Sequence, residues 1–193
     1  QTGIFQFYDH RDGLANNWVS TIFEDSKGRI WVGTWGGGVS LIQDDSIQMN
    51  FNEKNGLVGL NIQKITEDSE GNIYIATHEN GFYIFKGKQF KSMTEENGLP
   101  NTQIWDICQT NSDQVFLATN KGMVELKFSP SGNITLSQIF TQDDDKLISD
   151  KIRKLESDSE GNIWIGTNLS GIQKYNTNTN KFDFDYILNS NLP

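Results

Sequence analysis

Apolar and polar residues alternate in short bursts along this chain, without the sustained 3.6-residue period of an amphipathic helix. Runs such as Val19 to Glu24, IWVGT from Ile30 and GVSLI from Gly38 are five or six residues long. They are rich in β-branched and aromatic residues, and Gly- and Asp-bearing turns separate them. That pattern predicts many short strands.

The pattern also repeats. GLANNWVST begins at Gly13, GLVGLNIQK at Gly56, GLPNTQIWD at Gly98 and KLISDKIRK at Lys146, so the starts lie 43, 42 and 48 residues apart. Each copy opens with a strand-like run. Asp-Ser-x-Gly follows at 25–28, 68–71 and 158–161, then IWVGT, IYIAT, VFLAT or IWIGT. A Gly-containing turn leads to a third run. A fourth run closes the unit with Met49 and Phe51, Phe90, Ile139 and Phe140, or Phe182 and Phe184. Asp first and Gly fourth suit a type I turn. Four short strands per ~42–45 residues is the period of a β-propeller blade.

The expected fold is therefore all-β: a β-propeller segment of about four four-stranded blades, at 13–55, 56–97, 98–145 and 146–190. Residues 1–12 read as the outer strand of a preceding blade, and 191–193 as the start of the next. Propellers generally have about 4–8 blades, so an incomplete, open part of a larger propeller is expected, with a closed four-bladed ring as the alternative. An open arc exposes apolar blade faces at its ends, which predicts a homo-oligomer, for example two arcs paired into a ring of about eight blades.

Composition narrows the function. Aromatics make up 11% of the 193 residues, which argues against disorder. The net charge is −9, and the 16 Lys and Arg are scattered rather than gathered on one stretch. No nucleic-acid partner is expected from that distribution. No apolar run approaches ~18 residues, so no direct membrane contact is expected, and no targeting leader is visible. Cys108 is the only cysteine, which removes an intrachain disulfide and any multi-Cys metal site. It reads as a core residue, and its isolation fits cytoplasm and bacterial periplasm equally.

The string EDSKGRIWVGTWGGGV, echoed as EDSEGNIYIATHENGF and SDSEGNIWIGTNLSGI, resembles the two-component regulator propeller repeat, as does the preceding Gly-Leu-x-x-Asn-x-Val. The third copy departs, with Thr110-Asn111-Ser112-Asp113 in place of Asp-Ser-x-Gly and a second turn one residue shorter. The resemblance implies the periplasmic sensor region of a hybrid two-component histidine kinase. In that family two propellers precede an immunoglobulin-like domain, a membrane helix and the cytoplasmic kinase. The family commonly senses oligosaccharides released from glycans and controls genes for their use.

Alternating strand direction sorts the residues. The connection into each first strand and the turn between second and third strands share one face, here called the upper face. The Asp-Ser-x-Gly turns lie on the lower face. Trp31, Tyr74, Phe116 and Trp164 recur at one position, and Ile22, Ile65, Ile107 and Leu155 at another; both sets read as packing between blades. Other positions vary: Trp18, Asn61, Gln103 and Lys151 before the first strand; Trp35, His78, Asn120 and Asn168 after the Gly-Thr or Ala-Thr step; Ser20, Gln63, Trp105 and Arg153 one step into the first strand. Aromatic faces stack on sugar rings, while amides, Arg and His read hydroxyls and carboxylates.

The candidate ligand residues are thus Trp18, Trp35, Asn61, His78, Gln103, Asn120, Lys151, Arg153 and Asn168, with Trp18 and Trp35 foremost. Trp105 shares parity with Ile107 and reads as packing. The expected role is non-enzymatic sensing, without cofactor or metal: each Asp turn offers too few oxygens for Ca²⁺, and His10 and His78 stand far apart. The alternatives are a protein-interaction propeller and a polysaccharide lyase or glycosidase. The variable positions hold no carboxylate for acid–base work.

Overall fold

A computed structural model describes residues 5–129, 133–144 and 146–183. Each repeat folds into one antiparallel four-stranded sheet with its strands in chain order. The first holds β1 (Val19–Glu24), β2 (Ile30–Thr34), β3 (Val39–Gln43) and β4 (Ser46–Phe51). The second holds β5 (Ile62–Glu67), β6 (Ile73–Thr77), β7 (Phe82–Lys86) and β8 (Gln89–Met93). The third holds β9 (Ile104–Gln109), β10 (Val115–Thr119), β11 (Gly122–Phe128) and β12 (Ile134–Phe140). The fourth holds β13 (Ile152–Ser157), β14 (Asn162–Thr167), β15 (Ile172–Asn176) and β16 (Lys181–Asp183). Phe184, Asp145 and the expected next blade at 191–193 lie outside the described residues. Phe5 to Tyr8 form no ladder; an outer strand pairs only with the third strand of its own blade, and none is present among the described residues to receive them.

The blades pack side by side as wedges. The first strands β1, β5, β9 and β13 meet in that order and so lie innermost. The second strands β6 and β10 are buried along their whole length, which is why they read as nearly continuous apolar runs. Trp31, Val39, Leu41 and Phe51 of the first blade close on Ile62, Ile65, Ile73 and Ile75 of the second. Equivalent clusters join the second blade to the third and the third to the fourth.

One repeated position shows that the arc is open. Ile65, Ile107 and Leu155 face the preceding blade and are 1%, 4% and 3% exposed, whereas Ile22 in the first blade is 66% exposed. At the far end Ile172, equivalent to buried Val39 and Phe82, is 53% exposed. Hence Ile65→Ala is expected to cost about 3 kcal/mol and Ile22→Ala no more than about 0.5 kcal/mol in urea unfolding. Equal costs would contradict the open arc.

Two repeated details follow from local chemistry. The recurrent Gly-Leu marks the end of a one-turn 3₁₀ helix between blades, at 10–12, 53–55 and 95–97; Gly13, Gly56 and Gly98 cap it in the left-handed region. The next residue, Leu14, Leu57 or Leu99, is then buried. The Thr that ends each second strand (Thr34, Thr77, Thr119, Thr167) donates its hydroxyl to the carbonyl of Gly38, Gly81, Gly122 or Gly171. That bond closes each upper turn.

The Asp-Ser-x-Gly turn does more than reverse the chain. Asp25 Oδ1 accepts from the backbone N–H groups of Lys27 and Arg29, and Oδ2 accepts from Trp31 Nε1 at 2.8 Å. Asp158 holds Trp164 Nε1 at 2.9 Å, and Asp68 takes the Tyr74 hydroxyl at 2.8 Å. The third blade has Thr110 in place of Asp and Phe116 in place of Trp or Tyr, so the acceptor and the aromatic donor vanish together. Cys108 is buried as expected, and burial pushes its thiol up to about 11. Such a thiol is inert at neutral pH.

Candidate functional site

Each innermost strand carries the same irregularity near its upper end. Pairing jumps from Val19 to Thr21, from Ile62 to Lys64, from Ile104 to Asp106 and from Ile152 to Lys154. Ser20, Gln63, Trp105 and Arg153 are therefore β-bulge residues. A bulge inserts one residue without a cross-strand partner and re-aims its side chain. Trp105 keeps the expected packing against the core between the third and fourth blades. The bulge also lets its ring reach the upper-face cluster, which parity alone hides.

Next to three of the four bulges the backbone makes a lock. Trp35 N–H donates to Trp18 O, His78 N–H to Asn61 O, and Asn168 N–H to Lys151 O, each at 2.8 Å. The lock uses only main-chain atoms. Side chains at these positions are thus free of any structural duty the lock imposes, which accounts for their variety from blade to blade.

The structure gathers several of these side chains into a row spanning four blades. Trp18 and Trp35 have ring centroids 5.8 Å apart; Trp35 lies 5.0 Å from His78, and His78 lies 5.1 Å from Trp105. The Arg153 guanidinium sits 3.9 Å from the Trp105 centroid, within cation–π range. A chain of polar groups runs beside the rings. Gln63 and Gln103 place their amides 3.2 and 3.1 Å from His78 Nδ1. Asn120 donates to Gln103 Oε1, and its own Oδ1 accepts from Trp105 Nε1 at 3.0 Å and from Arg153 at 2.6 Å. Trp18 is largely exposed, while Trp35, His78, Trp105 and Arg153 are half-buried.

Of the residues singled out in the sequence, Trp18, Trp35, His78, Gln103, Asn120 and Arg153 meet in this row. Asn61 meets it through the backbone bond from His78, whereas Lys151 and Asn168 are bonded to each other and not to a member of the row. Gln63 and Trp105 were not among the named ligand residues, and the signal for both is the bulge. On the lower face a cleft of about 470 Å³ lies between the second and third blades, above Tyr74 stacked on Phe128 at 5.6 Å. Its rim pairs opposite charges, as in Lys86–Glu70 at 2.9 Å.

Fold and face together define a segment of a β-propeller whose innermost strands present one non-repeated aromatic and polar row. The family model of the two-component regulator propeller matches residues 13–36, 56–79 and 146–169. The diverged third blade falls outside the matched segments. The chain is similar to Histidine kinase P4 of Formosa agariphila, with 32% identity over 130 residues, 64% of this chain and 9% of that protein. It is also similar to the extracellular domain of a B. thetaiotaomicron protein assigned as a hybrid two-component system, BT3049. There the TM-score is 0.75 and identity 25%, over 91% of this chain and 24% of that one. Virginiamycin B lyase of Staphylococcus aureus shares the fold at a TM-score of 0.62 and 16% identity, over 86% of this chain and 54% of the enzyme. The chain thus spans about a quarter of the receptor domain and a tenth of the kinase that it resembles.

Proposed function

We propose that this chain is part of the extracytoplasmic, periplasmic ligand-sensing propeller of a hybrid two-component sensor kinase, and that its upper face binds glycan-derived oligosaccharides. The row from Trp18 to Arg153 carries this reading. Rings spaced 5.0 to 5.8 Å apart offer faces for sugar stacking, and the adjacent amides and guanidinium suit hydroxyl recognition. Relatives described as a histidine kinase and as the extracellular domain of a hybrid two-component system support the sensor assignment. The row holds no carboxylate, so it lacks the paired acids of a glycosidase. Binding signals only by favouring one arrangement of the receptor over another.

Titration of the chain with a panel of oligosaccharides, followed by tryptophan fluorescence and calorimetry, tests this. Saturable quenching that Trp35→Ala weakens at least about tenfold is expected, as for loss of a desolvated aromatic anchor. The absence of any sugar response, alongside tight capture of a protein partner, would favour the interaction-scaffold reading instead. The reading also includes self-association through the exposed face around Ile22. Light scattering that shows only monomer, with Ile22→Ser indistinguishable from wild type, argues against that part.

A further inference from the structure

Arg153 is the one member of the row that carries a fixed charge, and its surroundings leave that charge unneutralised. The guanidinium is half-buried against the Trp105 ring and gives one N–H to Asn120 Oδ1. Among the described residues no carboxylate lies within ion-pair distance of it, whereas Lys154, the next residue, reaches Asp106 at 3.5 Å. Asp150, three residues before Arg153 in sequence, has its Oδ1 engaged by the Gln142 N–H. Lys121, next in sequence to Asn120, and Lys151, two residues before Arg153, are both exposed. A partly desolvated cation without a counterion is disfavoured in the free protein and gains when an anion arrives.

The geometry has a direction as well. The guanidinium carbon lies over the Trp105 face, and Asn120 pins one corner. The remaining N–H groups keep the fork that matches a carboxylate or sulfate oxygen pair. The overall charge of −9 repels anions at long range. Beyond about 8 Å, physiological salt screens that repulsion, so the local cation decides. We propose that the Arg153 end of the row is an oxyanion subsite, so that the saccharide taken by this face is acidic, bearing a carboxylate or sulfate group. This inference rests on the oligosaccharide reading of the same face.

The test uses matched pairs that differ only in charge: an oligogalacturonate against its methyl ester, and a sulfated galactan oligomer against its desulfated form, each titrated calorimetrically into the chain. One charged member should bind at least about tenfold tighter than its neutral twin, as charge-assisted bidentate bonds allow. Arg153→Gln should erase that preference, and added NaCl should weaken the charged member alone. Melting curves report whether the variant folds. If it does not, Arg153→Lys keeps the charge and should shrink the preference severalfold through loss of the fork. Equal binding of both twins, or a preference untouched by either variant, overturns the proposal while leaving the oligosaccharide reading in place. If no member of either pair and no neutral oligosaccharide binds, both fall.

Discussion

Gly81→Ala is expected to destabilise the chain by about 3 kcal/mol, combining left-handed strain and overpacking, or roughly 10 °C in melting temperature for a domain of this size. Gly81 holds φ at +84°, where L side chains are strained, and a Cβ there would stand 2.2 Å from the Met93 carbonyl oxygen. Both partners are backbone atoms in a closed hairpin, so neither yields without breaking the turn. The same residue joins two blades. Its carbonyl receives the Thr77 hydroxyl, and its N–H donates to Thr102 O at the start of the next blade, 2.8 Å away. Gly38 to Leu60 and Gly122 to Asp150 repeat that bond between blades. Gly171 supplies an internal control: its φ is +78°, yet nothing lies within 4 Å of its would-be Cβ. Gly171→Ala should cost only the conformational strain, about 1 kcal/mol. Equal losses in urea unfolding of the two variants would refute the steric part.

That contrast marks what the sequence discloses and what it withholds. Turn chemistry and period place the strands, because Asp, Gly and β-branched residues act locally: IWVGT and IYIAT can hardly be anything but buried strands. The bulges act locally too, but they break the parity on which strand reading depends. Counting in twos from Ile107 assigns Trp105 to the core, and only the one-residue slip between Ile104 and Asp106 brings its ring to His78 and Arg153. The bond from each of Trp31, Tyr74 and Trp164 to its turn Asp, a latch on the lower face, was legible in principle, because Asp recurs six residues before these aromatics and disappears before Phe116. Reading those aromatics by size alone conceals it, since their N–H and O–H groups are what the Asp serves. For Asn61, Lys151 and Asn168 the sequence shows that the residue varies from blade to blade, yet a main-chain lock leaves side-chain direction undetermined. The row itself joins residues as far apart as Trp18 and Arg153, and only the curvature of the blade stack sets which neighbours come within about 5–6 Å, the range of aromatic contact.

The latch leads to the second large expected effect. Asp25→Ala should destabilise the chain by about 3–5 kcal/mol, the range for orphaning buried donors and a partly buried cation. Asp25 is buried, and its two oxygens serve two backbone N–H groups, Arg29 Nε at 2.7 Å and Trp31 Nε1. Trp31 is fully buried, stacked on Phe51 at 5.4 Å, so its N–H has no water to turn to. The third blade indicates the rescue. Asp25→Thr alone leaves the indole unsatisfied, whereas Asp25→Thr with Trp31→Phe installs the Thr110–Phe116 pattern and removes the orphan. The double variant should recover about 1–3 kcal/mol relative to the sum of the single costs, the coupling expected of residues in contact. Strict additivity would show that the two act independently.

Acid reports the same latch. Burial raises the Asp25 carboxyl, but the bonds from Trp31 and Arg29 outweigh it and hold it below its ordinary value. Asp158 is held down to about 2, first by the Asn162 side chain. A carboxylate with a depressed folded-state pKa stabilises fully above its unfolded value and loses that contribution as pH falls through the folded one. Melting temperature should therefore hold above about pH 4 and fall toward pH 2, and Asp158→Asn should flatten that fall. An unchanged acid slope in that variant would mean that the latch is held by shape alone.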